Sequence, residues 1–400
     1  MQDIYIGRQP IFNRNLDLFA YELLYRANNE QNAAGGIEHD HATTRVMINT
    51  FLDFGLEQVA GKKPVFINLP RSFIVGDNPL PFPKERVVLE ILEGIEIDEP
   101  FLNALRKLRA DGYKIALDDF IYHPDLRPLV ALSKIVKIDF RVLSRERIRE
   151  HVAALQEYKV ALLAEKIETP DEFELAKELG FDYFQGYFLC KPHIVAGRSL
   201  PSNRLAILRL LCELLDPAKT IAELADLVSQ DVALSFKLLR SLNSPFYALP
   251  KRIDSIHHAI VYLGMQQIKQ WASLIVLANI ADKPSQLMVM ALTRGKMCEL
   301  LGEALHEKNK AGLFTVGMFS LLDALMDSNL ENILVDLPLA AEVKAALLNH
   351  EGTMGQMLRA VLAYEQGRWN EVNFPSLKPA ELSDIYLQAV AWTDQVHQNL

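Results

Sequence analysis

The sequence predicts an α/β barrel followed by an all-α helical bundle. Short apolar runs that end in a polar residue recur through about the first 190 residues, with helical stretches between most of them. From residue 205 onward the pattern is almost entirely helical. Between these parts, segment 191–204 contains two prolines and a glycine and is predicted to be a linker. We therefore predict two domains, 1–195 and 196–400.

The clearest strand of the predicted barrel ends in two adjacent carboxylates. Lys114 to Leu117 is largely apolar and runs directly into Asp118 and Asp119. A continuous apolar run of this length predicts a strand that is buried on both faces. Because neighbouring carboxylates repel each other, the pair favours a cation site, and an exposed turn is the alternative.

Six further runs have the same construction. The polar residues that follow them are, in chain order, Glu22, Asn68, Glu90, Lys137, Glu165 and Gln185. Strand and helix alternate at a spacing typical of parallel βα units, and a region of this length suggests a closed barrel. Since the carboxyl ends of parallel strands converge on one mouth, we expect these side chains to meet in one site.

The predicted site is rich in oxygen donors. The donors are Glu22, Asn68, Glu90, Asp118, Asp119 and Glu165. A donor set without thiolate or imidazole suits Mg²⁺ or Mn²⁺ rather than zinc. Five carboxylates exceed the need of one ion, so a pair of ions sharing an aspartate and activating water for phosphodiester cleavage is one interpretation. The other is that these are ordinary polar residues at strand ends.

A polar segment near residue 40 has two interpretations. Asp40 is predicted to cap a helix that runs to Leu52, and His39 and His41 flank it. Adjacent side chains diverge at a helix start, so we favour a surface capping motif over a pair of metal-binding histidines.

Composition and sequence signals argue against some classes of function and location. A net charge of −9 argues against a general nucleic-acid binder. The three cysteines are widely spaced and are interpreted as reduced thiols. We find no secretory signal and no apolar stretch long enough for a membrane span, so we expect a cytoplasmic protein without membrane contact.

Ordered motifs in the first 195 residues resemble the EAL domain, a bacterial family that hydrolyses cyclic di-GMP. The matching motifs are Tyr21–Arg26, Phe66–Asn68, Leu89–Glu93, Leu117–Phe120, Val136–Asp139, Ala164–Thr169 and Phe184–Phe188. The resemblance implies a TIM-like barrel in which the six oxygen donors bind Mg²⁺ or Mn²⁺, as one ion or two. It also implies that Lys137 and Gln185 are catalytic or place water, and that Arg26 binds a substrate phosphate.

Two departures from the EAL pattern affect the support of the metal site. Active members continue after the paired aspartates with a glycine-rich loop, which supports dimerisation and metal occupancy, and Glu93 and Glu168 are the expected loop supports. Here the loop is Ile121–Leu126 and lacks glycine, and Pro124 predicts an extended backbone at His123. In addition, Lys166 replaces a glycine beside Glu165.

The second half resembles the HDOD domain, a helical relative of the HD phosphohydrolases. The motifs are Ile221–Pro245, Ile253–Ile256 and Ala259–Gly264, and one long helix is predicted over 312–326. No His-Asp dipeptide occurs after residue 200, so metal-dependent hydrolysis is not expected in this half. We predict a protein-interaction module instead.

Two functions from different classes remain open. The favoured hypothesis is cyclic di-GMP signal transduction by a degenerate barrel that acts as sensor or scaffold, with weak or absent hydrolysis and with the HDOD domain docking a protein partner. The alternative is an active Mg²⁺- or Mn²⁺-dependent phosphodiesterase that opens cyclic di-GMP to the linear dinucleotide pGpG. The expected partners are cyclic di-GMP and a protein, with homodimerisation a further expectation and no direct nucleic-acid binding.

Overall fold

The computed structural model describes two compact units. The first comprises Met1–Leu189, Glu365–Trp369 and Leu377–Ser383, and the second comprises Cys190–Tyr364, Asn370–Ser376 and Asp384–Leu400. The described residues are 4–27, 56–76, 80, 82–190, 202–216, 218–243, 253, 255–278, 280, 283–307, 309–372, 374 and 376–399. The helix predicted to start at Asp40 and most of the linker 191–204 lie outside these residues. The boundary between residues 195 and 196 stays a prediction.

Eight strands of the first unit form a closed barrel, as predicted. They are β1 (Ile4–Asn13), β2 (Leu18–Ala27), β3 (Val65–Asn68), β4 (Val87–Ile91), β5 (Lys114–Leu117), β6 (Ile135–Asp139), β7 (Ala161–Ile167) and β8 (Tyr183–Gly186). Strands β2 to β8 pair in parallel, each with the next.

The direction of β1 differs from the parallel units that the sequence predicts. β1 is antiparallel to both β2 and β8. Only residues 14–17 join β1 to β2, and so short a connection permits a hairpin but not a parallel crossover. The Asn13 side chain holds this turn by accepting hydrogen bonds from the backbone N–H groups of Asn15 and Asp17, both at 2.9 Å.

Short helices connect the strands. They are α1 (Leu56–Ala60), α2 (Arg71–Ile74), α3 (Glu99–Ala110), α4 (Arg127–Leu132), α5 (Arg145–Leu155) and α6 (Pro170–Glu178). Side chains cap the N-termini of two of these helices. Asp98 accepts a hydrogen bond from the Phe101 N–H at the start of α3, and Thr169 and Glu172 form a reciprocal capping box at the start of α6.

Two layers of side chains fill the barrel. The apolar layer contains Ile11, Ala20, Phe66, Val88, Ala116, Ile135 and Leu163, all buried. Two residues further along β2 to β7, on the same strand face, lie Glu22, Asn68, Glu90, Asp118, Lys137 and Glu165. Burying each large apolar side chain contributes about 1.5–3 kcal/mol. The apolar layer therefore closes the barrel beneath a polar layer at the strand carboxyl ends.

A glycine permits the close approach of β7 and β8 at the polar layer. Gly186 has a φ of 147°, and a Cβ there would overlap the backbone of Ile167. The pairing of β7 with β8 is irregular between Ala164 and Ile167, which brackets Glu165 and Lys166. Lys166 itself has a left-handed φ of 55°. The irregular pairing redirects the side chains at this rim of the barrel.

Beyond residue 202 every described element is helical. The α-helices are α7 (Ser202–Leu215), α8 (Ile221–Gln230), α9 (Val232–Leu242), α10 (Ile256–Leu263), α11 (Met265–Ala278), α12 (Ser285–Ala304), α13 (Lys310–Phe319), α14 (Leu322–Met326), α15 (Leu330–Asp336), α16 (Ala341–Asn349), α17 (Gly352–Glu365) and α18 (Pro379–Asn399). The single helix predicted over 312–326 was wrong. Leu321 leaves helical geometry, with φ −115° and ψ 11°, and separates α13 from α14.

Small residues bring two helices of this region together. A Cβ on Gly317 of α13 would overlap the Arg294 carbonyl of α12, so the two backbones touch at this point. Such an approach buries the central part of α12 on several faces, which removes the amphipathic pattern expected of a surface helix. None of the described helices is long and apolar enough to cross a membrane.

Candidate metal centre

A fully buried lysine lies at the centre of the polar layer. Lys137 Nζ lies 2.6 Å from Glu90 Oε1, 2.7 Å from Asp118 Oδ1, 2.8 Å from Glu165 Oε1 and 3.4 Å from Glu22 Oε2. The Lys137 side chain is 0% exposed. We call Lys137 and these four carboxyl groups the inner cluster. The structure thus brings together five residues that the sequence placed on five different strands or strand ends.

The inner cluster contains more acidic than basic groups. Burial raises the pKa of Glu90 well above its ordinary value, and the Glu22 carboxylate raises it further against the opposing effect of Lys137. Burial, again opposed by Lys137, raises the pKa of Glu165 to about 8. For Lys137 burial lowers the pKa, but the surrounding carboxylates outweigh it and raise that pKa well above the ordinary value. The lysine therefore stays charged, and the raised pKa values of Glu90 and Glu165 favour protons that a metal cation can displace.

Gln185 extends the inner cluster toward β1. Its Nε2 donates to Glu22 Oε2 at 2.6 Å and to Gln9 Oε1 at 2.8 Å. Gln185 is 3% exposed, and its own Oε1 has no hydrogen-bond partner among the described residues. These bonds orient the Glu22 carboxylate toward the centre of the barrel mouth.

Several buried oxygen atoms of the site lack a hydrogen-bond partner among the described residues. Asn68 Oδ1, Glu90 Oε2 and Glu165 Oε2 have no hydrogen-bond partner within the described part of the chain. Oxygens of Glu22, Glu90 and Asp118 lie within 4.8 Å of one another. Buried oxygens without partners are costly, and a divalent cation would satisfy them. The donors therefore fit the oxygen-ligated cation that the sequence predicts.

Asp119 faces a different lysine from Asp118. Its φ is 45°, and its Oδ1 lies 3.1 Å from Lys166 Nζ. The same ammonium donates to Asp139 Oδ2 at 2.6 Å. Asp139 is 6% exposed, whereas Lys166 and Asp119 are 48% and 45% exposed. We call Lys166, Asp119 and Asp139 the outer cluster.

The remaining predicted residues lie around this centre. Arg26 is in β2, and its side chain is outside the part of the chain that the structure describes. Glu93 follows β4 and is exposed. Glu168 follows β7 and pairs with Arg141. None of the three has a described contact with Lys137.

Sequence reasoning missed the roles of Gln9 and Asp139. Asp139 lies two residues after Lys137 on the same strand, so period-two alternation places both side chains on one face and could have identified it. Gln9 lies two residues before the buried Ile11 in β1. This spacing places Gln9 in the polar layer only when β1 is known to be antiparallel to its neighbours.

The loop after Asp119 has the local geometry predicted from Pro124. His123 is extended, with φ −134° and ψ 145°, and Pro124–Leu126 forms a 3₁₀ turn. His123 Nδ1 lies 3.1 Å from Asp125 Oδ2. This part of the prediction is confirmed.

Comparison with protein families matches both halves of the chain. The model described as "EAL domain" covers residues 3–192, and the model described as "HDOD domain" covers residues 199–360. "Cyclic di-GMP phosphodiesterase CdgJ" of Vibrio cholerae is 34% identical over 406 residues, which span 100% of this chain and 94% of CdgJ. The chain is an EAL–HDOD protein.

A second relative of this EAL–HDOD protein has the same extent. "Uncharacterized protein YuxH" of Bacillus subtilis is 35% identical over 403 residues, covering 97% of this chain and 98% of YuxH. Among solved structures, the Bacillus subtilis YkuI protein, with an EAL domain and in complex with cyclic di-GMP and calcium, has a TM-score of 0.39 and 22% identity. That match covers 65% of this chain and 72% of YkuI. The family assignment rests on the two full-length relatives.

Proposed function

We propose that the EAL–HDOD protein acts in cyclic di-GMP signalling and binds the dinucleotide at its barrel mouth together with Mg²⁺ or Mn²⁺. The observation that carries the proposal is the inner cluster, in which four buried acidic side chains surround a single buried lysine. One lysine cannot balance four ionised carboxylates, so a further cation would stabilise the buried group. The name of CdgJ, which is similar over its whole length, supports the choice of dinucleotide.

The proposed ligands of the cation are the residues of the inner cluster and their neighbours. They are Glu22, Asn68, Glu90, Asp118 and Glu165, with Asp119 adjacent. When bound, a divalent ion supplies a Lewis acid that polarises the phosphodiester and activates water. Lys137 holds the carboxylates in place and balances part of their charge. Gln185 fixes Glu22 and keeps an acceptor oxygen free in the buried site.

Our preferred role for the barrel is that of a sensor or scaffold with slow turnover. Asp119 is engaged by Lys166, so one of the six predicted donors is not oriented toward the inner cluster. The loop at 121–126 contains a rigid Pro124 in place of glycines and gives the aspartates a different support. Arg26 would contact a substrate phosphate, and the HDOD half would dock a protein partner.

An active phosphodiesterase producing pGpG is the second candidate. The specific observation in its favour is that the four carboxyl groups of the inner cluster and Lys137 are assembled within hydrogen-bonding or ion-pairing distance. Buried acids with raised pKa values, here Glu90 and Glu165, cluster at functional sites of enzymes.

The deciding experiment measures cyclic di-GMP binding and hydrolysis on the full chain. Calorimetry with saturating Mn²⁺ should detect binding in the wild type and its loss in Glu90→Gln, with Glu85→Gln, an exposed residue before β4, as the matched control. Absence of binding in the wild type would contradict the proposal. Turnover within the ~1–10³ per second common among enzymes would select the phosphodiesterase over the sensor.

A further inference from the structure

The outer cluster places a positive charge beside Asp119, one of the six predicted oxygen donors. Lys166 Nζ lies 3.1 Å from Asp119 Oδ1 and 2.6 Å from Asp139 Oδ2. Asp119 follows Asp118 directly, and Lys166 follows Glu165 directly, so the ammonium is attached next to two residues of the inner cluster. We infer that Lys166 is a built-in cation that occupies Asp119 and limits the barrel mouth to one divalent ion. This inference rests on the proposed metal site.

The backbone holds Lys166 in this position. Its φ of 55° lies in the left-handed region, which side chains other than glycine rarely adopt. The β7–β8 pairing is irregular at the same point, between Ala164 and Ile167. Simple alternation along β7 would separate the directions of Glu165 and Lys166. The irregular backbone instead lets Glu165 reach Lys137 while Lys166 reaches the neighbouring Asp119.

Asp139 anchors the ammonium from the other side. Asp139 lies opposite Glu165 in the β6–β7 register and is only 6% exposed. Its Oδ1 accepts the Arg141 backbone N–H at 2.7 Å, and its Oδ2 accepts from Lys166. Moving Lys166 away would remove the ion-pair partner of a nearly buried carboxylate. The lysine is therefore held more firmly than its exposed side chain alone would suggest.

A divalent ion approaching Asp119 would meet two obstacles. The carboxylate oxygen nearest the lysine is already hydrogen-bonded, and the ammonium would repel a second cation placed a few ångströms away. The inner cluster also contains an ammonium, that of Lys137, but it leaves Asn68 Oδ1, Glu90 Oε2 and Glu165 Oε2 without hydrogen-bond partners in the described chain. A divalent ion bound in the inner cluster would find acceptor oxygens there that are not already hydrogen-bonded.

The test counts Mn²⁺ ions bound to the full chain, by calorimetry and by electron paramagnetic resonance. We expect one ion per wild-type chain with the spectrum of an isolated Mn²⁺. Lys166→Gly and Lys166→Gln should bind two, with the spectral broadening of a coupled pair. Lys166→Arg keeps the charge and should stay at one. The matched control is Lys114→Gln, an exposed lysine at the other end of β5, and it should also stay at one.

Asp119→Asn in the wild-type background gives an independent readout that needs no change at residue 166. If Lys166 occupies Asp119, this substitution leaves the number and affinity of bound ions unchanged, and in Lys166→Gln it returns the count from two to one. Two ions in the wild type, one ion in both uncharged variants, or weaker binding in Asp119→Asn would overturn the inference while the metal site stands. No ion in the wild type would refute the proposed function itself.

Discussion

Two lysines at the same barrel mouth form ion pairs that differ in burial, and burial determines how strongly such pairs interact. Lys137 is 0% exposed and contacts four carboxyl groups, whereas Lys166 is 48% exposed and contacts two. Charges in a low-dielectric interior interact strongly and are expensive to leave unpaired, while solvent screens exposed ones. On the proposed roles, we expect the barrel to need Lys137 to hold its acids. We expect Lys166 to affect only which acids are available.

The strongest test of this contrast removes the inner cation. Lys137→Met should lower the free energy of unfolding by about 3–5 kcal/mol, because it leaves buried carboxyl groups without their central partner. Urea denaturation measures the effect. The control Lys134→Met changes an exposed lysine immediately before the same strand and should stay within about 0.5 kcal/mol. Equal losses in the two variants would show that the inner cluster does not depend on Lys137.

Removing one buried acid tests whether the inner cluster binds the metal ion. Glu90→Gln keeps the shape but replaces a carboxylate oxygen that lies in the inner cluster. We expect Mn²⁺ affinity to fall by at least about 10–100-fold, the loss that changes around metal ligands commonly cause. Calorimetry against Glu85→Gln provides the measurement and the control. Unchanged affinity in Glu90→Gln would place the cation elsewhere.

The acids of the inner cluster also predict a dependence on pH. The pKa of Glu165 is raised from 4.5 to about 8, so the metal-free folded state binds its proton more tightly than the unfolded state does. Stability without metal should therefore be complete below about pH 4.5 for this group and fall as pH rises to about 8. Mn²⁺ affinity should rise over the same interval, because the proton competes with the ion.

Two measurements check this pH dependence. Urea midpoints in the presence of a chelator, at about pH 6 and about pH 9, should decrease with pH, and Glu165→Gln should reduce the decrease. Added Mn²⁺ should reverse the trend. A chelated midpoint that rises with pH across this interval would contradict the raised pKa of Glu165.

The outer cluster should affect stability far less than the inner one. Lys166→Gln removes a half-exposed charge, and exposed ion pairs contribute about 0–1 kcal/mol. Asp139 keeps its hydrogen bond from the Arg141 N–H in this variant. Urea denaturation beside Lys137→Met gives the comparison directly. A loss as large as that of Lys137→Met would remove the distinction between the two clusters.

The smallest expected effect concerns the helices beyond residue 202. The group of acids suited to a metal lies in the barrel, and the described helical residues contain no comparable group. Adding a chelator to the full chain should leave its far-ultraviolet circular dichroism at the helical minimum unchanged. A drop in helicity on chelation would reveal a metal requirement in the helical half.

Much of the barrel site follows from alternation along single strands. Glu90 lies two residues after Val88, and Lys137 lies two residues after Ile135. Alternation along each strand therefore predicts a polar layer next to an apolar layer. The capping box of Thr169 and the extended backbone at His123 are equally local. Such features depend on neighbours in the chain, which the sequence displays directly.

The rest depends on contacts between distant residues. The antiparallel β1 results from a four-residue connection whose geometry the Asn13 side chain holds. The link from Lys166 to Asp119 requires an irregular β7–β8 register, which no periodicity in β7 reveals. The break between α13 and α14 arises at Leu321 without a proline or glycine to mark it. In each case tertiary structure decides between locally acceptable alternatives.

The composition of the barrel unit has a consequence for how the protein is made. Residues 365–369 and 377–383 belong to this unit: Trp369 stacks on Tyr5 at 5.1 Å, and the Ser383 hydroxyl accepts the backbone N–H of Ile6 at 3.2 Å. The contacts of β1 thus include residues that are translated after the segment Cys190–Tyr364 of the other unit. At bacterial or eukaryotic rates of roughly 5–20 residues per second, the interval between Leu189 and Ser383 lasts roughly 10–40 s. During that time β1 can pair with β2 and β8, but it lacks the contacts of Tyr5 with Trp369 and of Ile6 with Ser383.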